Sequence, residues 1–144
     1  MLIGLDPLLD PDLLWTLRAM GHGDRIAIVD ANFPAASLAR RLHRLDGADA
    51  VTALTVILTV LPVDDFALPG AFCMTPTEDG ALPPIAEEFS GALERAGHAP
   101  QPGGLSRQRF YDAARDCFAV VQTGERRLFG NIVLTKGVVR IEAA

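Results

Sequence analysis

The chain has 144 residues, 49% of them hydrophobic and 22% charged, a balance that fits one globular domain over residues 1–144 and excludes a disordered chain. Eighteen acidic residues against thirteen basic ones leave a net charge of −5, without the basic footprint that phosphate-binding proteins carry, so nucleic acid is excluded as the main ligand. Arg40, Arg41, His43 and Arg44 come nearest to such a footprint, and they read as the solvated part of a short segment.

Met1 to Asp6 has neither a basic start nor a long apolar stretch, so no signal peptide is expected there. Asp10-Pro11 then opens a helix: the aspartate caps free N–H groups and proline fits the first helical position. Leu13, Leu14, Leu17 and Met20 share one face of it, and Gly21 is expected to end it in the left-handed conformation. Arg25 to Val29 is a short β-branched run that reads as a buried strand, ending at Asp30 before an Asn32-Phe33-Pro34 turn.

From Asp49 to Leu61 the valines and isoleucine suggest a strand, but Thr52, Thr55 and Thr59 form one polar stripe at helical spacing, so the segment predicts a helix bounded by Pro62. The apolar window Val51–Val63 is too short to span a bilayer, and a cytoplasmic protein without membrane contact is expected. Ala71–Met74 reads as a strand, and Ile85, Phe89, Leu93 and Ala96 as a helix ended by Gly97. Residues 98–105 read as loop, and Ser106 caps a helix running through Asp116. Phe118–Val121 is a strong strand, 124–127 a turn, and Asn131–Leu134 a last strand with a possible extension to Val139–Ile141. Alternating helices and strands predict an α/β domain with a mixed, largely parallel sheet covered by helices, and ligands in such sheets sit beyond strand carboxyl ends, where Asp30 lies.

Individual side chains admit two readings each. His22, between Gly21 and Gly23, is either a surface turn residue or a proton donor near neutral pH. Asp30 either accepts hydrogen bonds from sugar hydroxyls or caps its own turn. Arg107 and Arg109 suit a polyol or a carboxylate, or simply a solvated helix start, and Asn131 after Gly130 either serves a sugar or makes a turn. Cys73 and Cys117 lack metal spacing and read as buried inert thiols, in keeping with a reducing compartment. Asp64 and Asp65 read as solvated turn acids, and His43 and His98 as exposed.

Two ordered blocks carry a family resemblance. Pro7-Leu8-Leu9 to Pro11, Leu13-Leu14, Met20-Gly21-His22-Gly23-Asp24, Asp30-Ala31-Asn32-Phe33-Pro34-Ala35 and Asp46-Gly47 form the first. Arg107, Phe110-Tyr111, Ala113-Ala114, Phe118-Ala119-Val120-Val121, Thr123-Gly124-Glu125, Gly130-Asn131-Ile132 and Lys136-Gly137-Val138 form the second. Together they resemble the ribose pyranase/fucose mutarotase family over most of the chain, least from about residue 66 to 105, and Asn32-Phe33-Pro34 favours the fucose branch.

The resemblance implies a ribose pyranase-like fold and a mutarotase, an isomerase that interconverts the cyclic forms of a free monosaccharide such as L-fucose. It implies His22 as proton donor and Asp30, Arg107, Phe129, Gly130 and Asn131 as sugar-binding residues, with no metal or organic cofactor. It further implies a ring-shaped homo-oligomer, commonly a decamer, whose neighbouring subunits complete the pocket. Where the family usually has tyrosine before Gly-Asn, this chain has Phe129, which keeps the ring and loses the hydroxyl. A monosaccharide-binding or transport/regulatory accessory protein without catalysis is the alternative that this replacement keeps open.

Overall fold

The structure is a computed structural model that describes residues 1–142. Strands β1 (Arg25–Val29), β2 (Leu42–Leu45), β3 (Ala71–Met74), β4 (Gly103–Leu105), β5 (Ala119–Thr123) and β6 (Ile132–Thr135) form one sheet in the order β2-β5-β1-β6-β3-β4. β6 runs antiparallel to β1 and β3, and the other pairings are parallel. The expected α/β fold with a mixed, largely parallel sheet is therefore observed.

Helices cover both faces. Strand side chains alternate between them: Ile26, Ile28, Ala119, Val121, Ile132 and Leu134 face one core, and Ala27, Val29, Val120 and Val133 the other. The first core is closed by α1 (Pro11–Ala19), α3 (Ala50–Leu58) and α4 (Ala86–Arg95), the second by α2 (Ala35–Leu38) and α5 (Arg107–Asp116). Burial on both faces explains why the central strands read as unbroken apolar runs instead of alternating ones.

The helices start and stop where local chemistry dictates. Asp10 accepts the Leu13 N–H at 2.8 Å, Asp49 the Thr52 N–H at 2.7 Å and Ser106 the Arg109 N–H at 3.4 Å, each an N-cap. Thr52 and Thr55 on α3 and Thr59 at its C-cap are all exposed, as a helix requires. Gly97 follows α4 with φ +84°. By contrast, α1 ends on an extended Met20, and the left-handed glycine of the next turn is Gly23 (φ +90°), not Gly21. The ammonium of Lys136 takes over the end of α1, donating to the Leu17 and Met20 carbonyls at 2.7 and 2.5 Å.

Two edge strands and one short helix depart from the expectation. The basic segment becomes β2, whose exposed Arg44 and half-buried His43 suit a sheet edge, where charge blunts unwanted pairing. Residues 103–105 form β4, at the far edge, inside what reads as loop. A Cβ on Gly103 would lie 2.7 Å from the Phe72 ring and one on Gly104 2.7 Å from the Thr75 methyl, so this strand requires glycine where propensity argues against it. The helix Ala35–Leu38 is a single turn after Pro34. The extension to Val139–Ile141 does not form; both residues are largely exposed beyond the end of β6.

Gly124 follows β5, and a Cβ there would sit 2.2 Å from the Asp46 carbonyl oxygen, a backbone atom that cannot swing aside. Gly124→Ala is therefore expected to lower the unfolding free energy by about 1–3 kcal/mol. Urea denaturation checks this: the midpoint should fall with an unchanged slope.

Candidate functional site

Four segments meet at one edge of the sheet. The carboxyl ends of β1 and β3 deliver Asp30 and Met74, the start of antiparallel β6 delivers Asn131, and the helix following β4 delivers Arg107 and Tyr111. With Asn32, Phe33, Leu128 and Phe129 they line an open cavity of about 230 Å³. That is below the ~300 Å³ at which small-molecule pockets usually begin. A larger hollow of about 430 Å³ beside the N-terminal segment is lined by Leu2, Leu5, Leu9 and Leu14 with the carboxylates of Asp6 and Asp10, and has none of this convergence of donors and acceptors.

At the floor of the cavity lies a reciprocal contact. The Asp30 N–H donates to Asn131 Oδ1 at 2.7 Å, and Asn131 Nδ2 donates back to Asp30 Oδ2 at 3.1 Å. Asp30 Oδ1 accepts the Asn32 N–H at 3.0 Å. Asp30 thus caps its own turn, one of its two readings, and also lines the cavity. Burial pushes its carboxyl above the ordinary carboxylate range, while hydrogen bonds from Asn32, Asn131, Phe33 and Gly130 pull the other way.

The 125–131 loop is held just as firmly. Glu125 is buried and accepts the Arg126 and Arg127 N–H groups at 2.9 and 3.2 Å and the Arg127 guanidinium at 2.8 Å. Burial alone would raise its carboxyl, but these donors outweigh it and hold it low. Phe129 sits at φ +60°, a conformation that a residue with a Cβ adopts only when its surroundings enforce it. Gly130 behind it is packed so that a Cβ would lie 2.7 Å from Glu125 Cγ.

Arg107 is exposed on the first turn of α5 with its guanidinium 5.9 Å from the Tyr111 ring. Arg109 is exposed and does not line the cavity. Tyr111, one turn on from Arg107, packs edge-on to Phe33 at 5.3 Å between ring centroids. It is the single tyrosine of the chain, and it brings to the cavity the phenol that Phe129 lacks. Tyr111 was not among the expected sugar-binding residues, although its i, i+4 spacing from Arg107 places the two on one helix face.

His22 lies elsewhere. It precedes β1, whereas Asp30 follows it, so the two occupy opposite edges of the sheet, ~15 Å or more apart at ~3.3 Å per strand residue. His22 Nε2–H donates to Asp64 Oδ1 at 2.9 Å, and the ring lies 5.1 Å from that of Phe66. Asp64 is buried, not solvated as a turn acid would be, and also accepts the Phe66 and Ala67 N–H groups. The His22 hydrogen bond, helped by those amides, holds its carboxyl below the ordinary range. The contact fixes the imidazole, leaves Nδ1 without a partner among the described residues, and keeps the ring partly exposed.

Other residues fall into place around these. Asp65 is exposed and pairs with Arg140 at 2.8 Å. His43 and His98 are half-buried, not exposed; His43 shares a hydrogen bond with the Thr16 hydroxyl at 2.7 Å, which its sequence neighbours do not announce. Cys73 and Cys117 are buried and free, and burial pushes both thiols up to about 12.

The model of the RbsD / FucU transport protein family matches residues 3–139. The fucose mutarotase of Bos taurus is 39% identical over 145 residues, covering 96% of this chain and 94% of its own. The crystal structure of the fucose mutarotase in complex with L-fucose from Streptococcus pneumoniae superposes with a TM-score of 0.89 at 36% identity, covering 96% of this chain and all of that one. Bacillus subtilis RbsD complexed with D-ribose, at 21% identity and a TM-score of 0.70, shares the fold over 97% of this chain.

Asn131→Ala leaves the Asp30 N–H and carboxylate short of partners in a buried place, an expected cost of about 1–3 kcal/mol. The substitution also raises the Asp30 carboxyl further. A carboxyl raised by folding contributes stability at low pH that is lost as pH rises through its folded value. The loss should therefore be greater near about pH 7 than near about pH 3, as denaturation at the two pH values would show.

Proposed function

We propose, from the premise that this chain belongs to the RbsD / FucU transport protein family, that it is a monosaccharide mutarotase acting on L-fucose or a similar aldose. The observation that carries the reading is the Asp30–Asn131 pair, a buried carboxylate and amide held open to a cavity that also receives Arg107 and Tyr111. A carboxylate accepts from vicinal hydroxyls, an amide both donates and accepts, and a guanidinium offers fixed donors; together they match a polyol. The Phe129 ring supplies an apolar face on which a pyranose can rest.

The reaction asks for little more. A proton goes to the ring oxygen, another leaves the anomeric hydroxyl, and the bond between the anomeric carbon and the ring oxygen breaks. The open-chain aldehyde rotates about its bond to C2, the ring hydroxyl adds to the other face, and the two protons return. His22 is the proposed acid, through the Nδ1 that Asp64 leaves free. Tyr111 stands in the cavity as a proton relay in place of the hydroxyl absent at Phe129: its oxygen accepts the anomeric proton while its own O–H proton passes to water, and the transfer reverses on ring closure. Asp30, Arg107, Gly130 and Asn131 hold the sugar.

His22 and Asp30 lie too far apart in one chain to touch one sugar. The reading therefore includes a closed homo-oligomer, a decamer as in the family resemblance, in which a neighbour's His22–Asp64 edge completes the half-site. Exposed apolar side chains flank both parts: Phe66, Leu68, Val139 and Ile141 on the His22 side and Leu128 at the cavity rim. Among the described residues no helix is long and apolar enough to cross a membrane. Two free buried thiols agree with work in the cytoplasm.

Magnetisation-exchange NMR on L-fucose and D-ribose tests the activity directly. Wild type should exchange anomers; His22→Ala should lose about 10²-fold or more in exchange while binding sugar nearly as before, and Tyr111→Phe should lose exchange in the same sense. A folded wild type that binds sugar without speeding exchange would instead establish the accessory binding protein.

The shared pocket has its own test. His22→Ala and Asp30→Ala subunits, each inactive alone, should regain up to roughly a quarter of wild-type exchange when co-assembled, the share of interfaces pairing an intact Asp30 with a neighbour's intact His22. Sedimentation at micromolar concentration should show many subunits. A monomer with full activity would rule out the shared site.

A further inference from the structure

We infer that Gln122 is a positioning residue for sugar affinity, pinning from behind the turn that carries Asp30, Asn32 and Phe33, and that Arg44 orients it. The inference rests on the reading of that turn as sugar-binding. Gln122 occupies the carboxyl-terminal half of β5, next to β1, and is buried. Its side chain does not reach the cavity. Instead Nε2 donates to the Phe33 carbonyl at 2.8 Å and stands 3.4 and 3.5 Å from the carbonyls of Asp30 and Ala31.

Three carbonyl dipoles therefore converge on one amide nitrogen. Without a donor between them they would repel one another, and the oxygens of a buried turn would lack partners. The amide has two N–H groups, so it is the side chain that can serve such a cluster. Its orientation is not left to chance. Oε1 accepts from Arg44 Nη1 at 3.2 Å, and the Arg44 guanidinium is in turn steadied by Asp46 at 3.3 and 3.4 Å. With Oε1 committed to Arg44, Nε2 must face the turn. The basic segment around residue 44 thereby acquires a role inside the molecule.

Other contacts hold the same turn from its remaining sides: Asn131 across the cavity floor, the Glu125 carbonyl accepting the Ala31 N–H at 2.9 Å, and the Thr123 hydroxyl donating to the Val29 carbonyl at 2.8 Å. The first two come from the cavity loop, and Thr123, though on β5 like Gln122, reaches only Val29 at the end of β1. Among these side chains Gln122 alone holds the Phe33 end. Its loss frees the turn to spread, so the Asp30 carboxylate and the Phe33 ring no longer meet a sugar in fixed register.

Gln122→Leu removes the donor, and Gln122→Glu keeps the shape and the Arg44 contact while replacing the donor with oxygen. Both should weaken L-fucose binding by about tenfold, the glutamate no less than the leucine, while exchange at saturating sugar changes by less than about threefold. A residue that merely filled space would tolerate leucine, which has nearly the same volume. Amide hydrogen exchange gives a reading that needs no sugar: Ala31, Asn32 and Phe33 should lose protection in both variants while Ile26 to Val29 keep theirs. Wild-type affinity and protection in a folded Gln122→Glu protein would overturn the inference. If neither Gln122 variant folds, Arg44→Ala decides: it should weaken binding by about threefold and loosen the same amides, and no change in either would overturn the inference. A wild type that binds no sugar would sink the mutarotase reading instead, and the amide measurements would still judge Gln122.

Discussion

A carboxylate buried at the end of a strand must find hydrogen-bond donors or become protonated, and the cavity edge of this fold is arranged around that requirement. Asp30 is supplied by its own turn through the Asn32 N–H and by Asn131 across the β1–β6 pairing. Because Asn131 also accepts the Asp30 N–H, the two residues cannot shift independently. Their partnership depends on β6 running against β1, for only then does the start of one strand lie beside the end of the other. The reversal of direction in an otherwise parallel sheet is thus what brings a segment more than a hundred positions away to the first strand's carboxyl end.

The opposite edge solves a second problem with the other end of β6. The His22 turn and the Asp64 segment belong to distant parts of the chain, and residues 135–137 join them. On one side the Gly23 N–H donates to the Lys136 carbonyl and the Lys136 N–H to the Asp24 carbonyl. On the other the Asp64 N–H donates to Thr135 and the Gly137 N–H to Pro62. Gly137 has to be glycine there, since a Cβ would lie 2.7 Å from the Val63 oxygen. One strand therefore positions Asn131 at its start and the His22–Asp64 contact at its finish, and the two halves of the proposed chemistry are set by the same element at opposite edges.

What the sequence made legible follows from how each feature is encoded. Caps and apolar periodicity are local, so α1, α3, α4 and α5 could be read from Asp10, the threonine stripe, Phe89 with Leu93, and Ser106. Central strands buried on both faces are apolar runs and were equally plain. Edge strands are not: β2 is written in arginine and histidine, and β4 in two glycines. The cavity residues were legible as ordered motifs, yet their partners were not, because a hydrogen bond between Asp64 and His22 or between Gln122 and Phe33 leaves no trace in spacing. Asp64 looked like a solvated acid beside Asp65, and nothing in Val120-Val121-Gln122-Thr123 says that its glutamine faces a turn ninety residues earlier.

Phe129 joins these levels. Its backbone is held at φ +60° by the Glu125–Arg127 pairing on one side and Gly130 on the other, so the ring is directed into the cavity whatever its substituent. A hydroxyl there would have added a polar atom to the cavity wall; without it the ring offers only an apolar face. The phenol of Tyr111 lines the same cavity from another element, half-buried and braced by Phe33. Proton transfer depends on a group of suitable reach and not on which strand or helix bears it. The departure at Phe129 therefore removes one hydroxyl from the cavity wall and leaves the chain's single tyrosine there, the group on which the proposed proton transfer rests and which sets the enzyme reading apart from that of a mere binder.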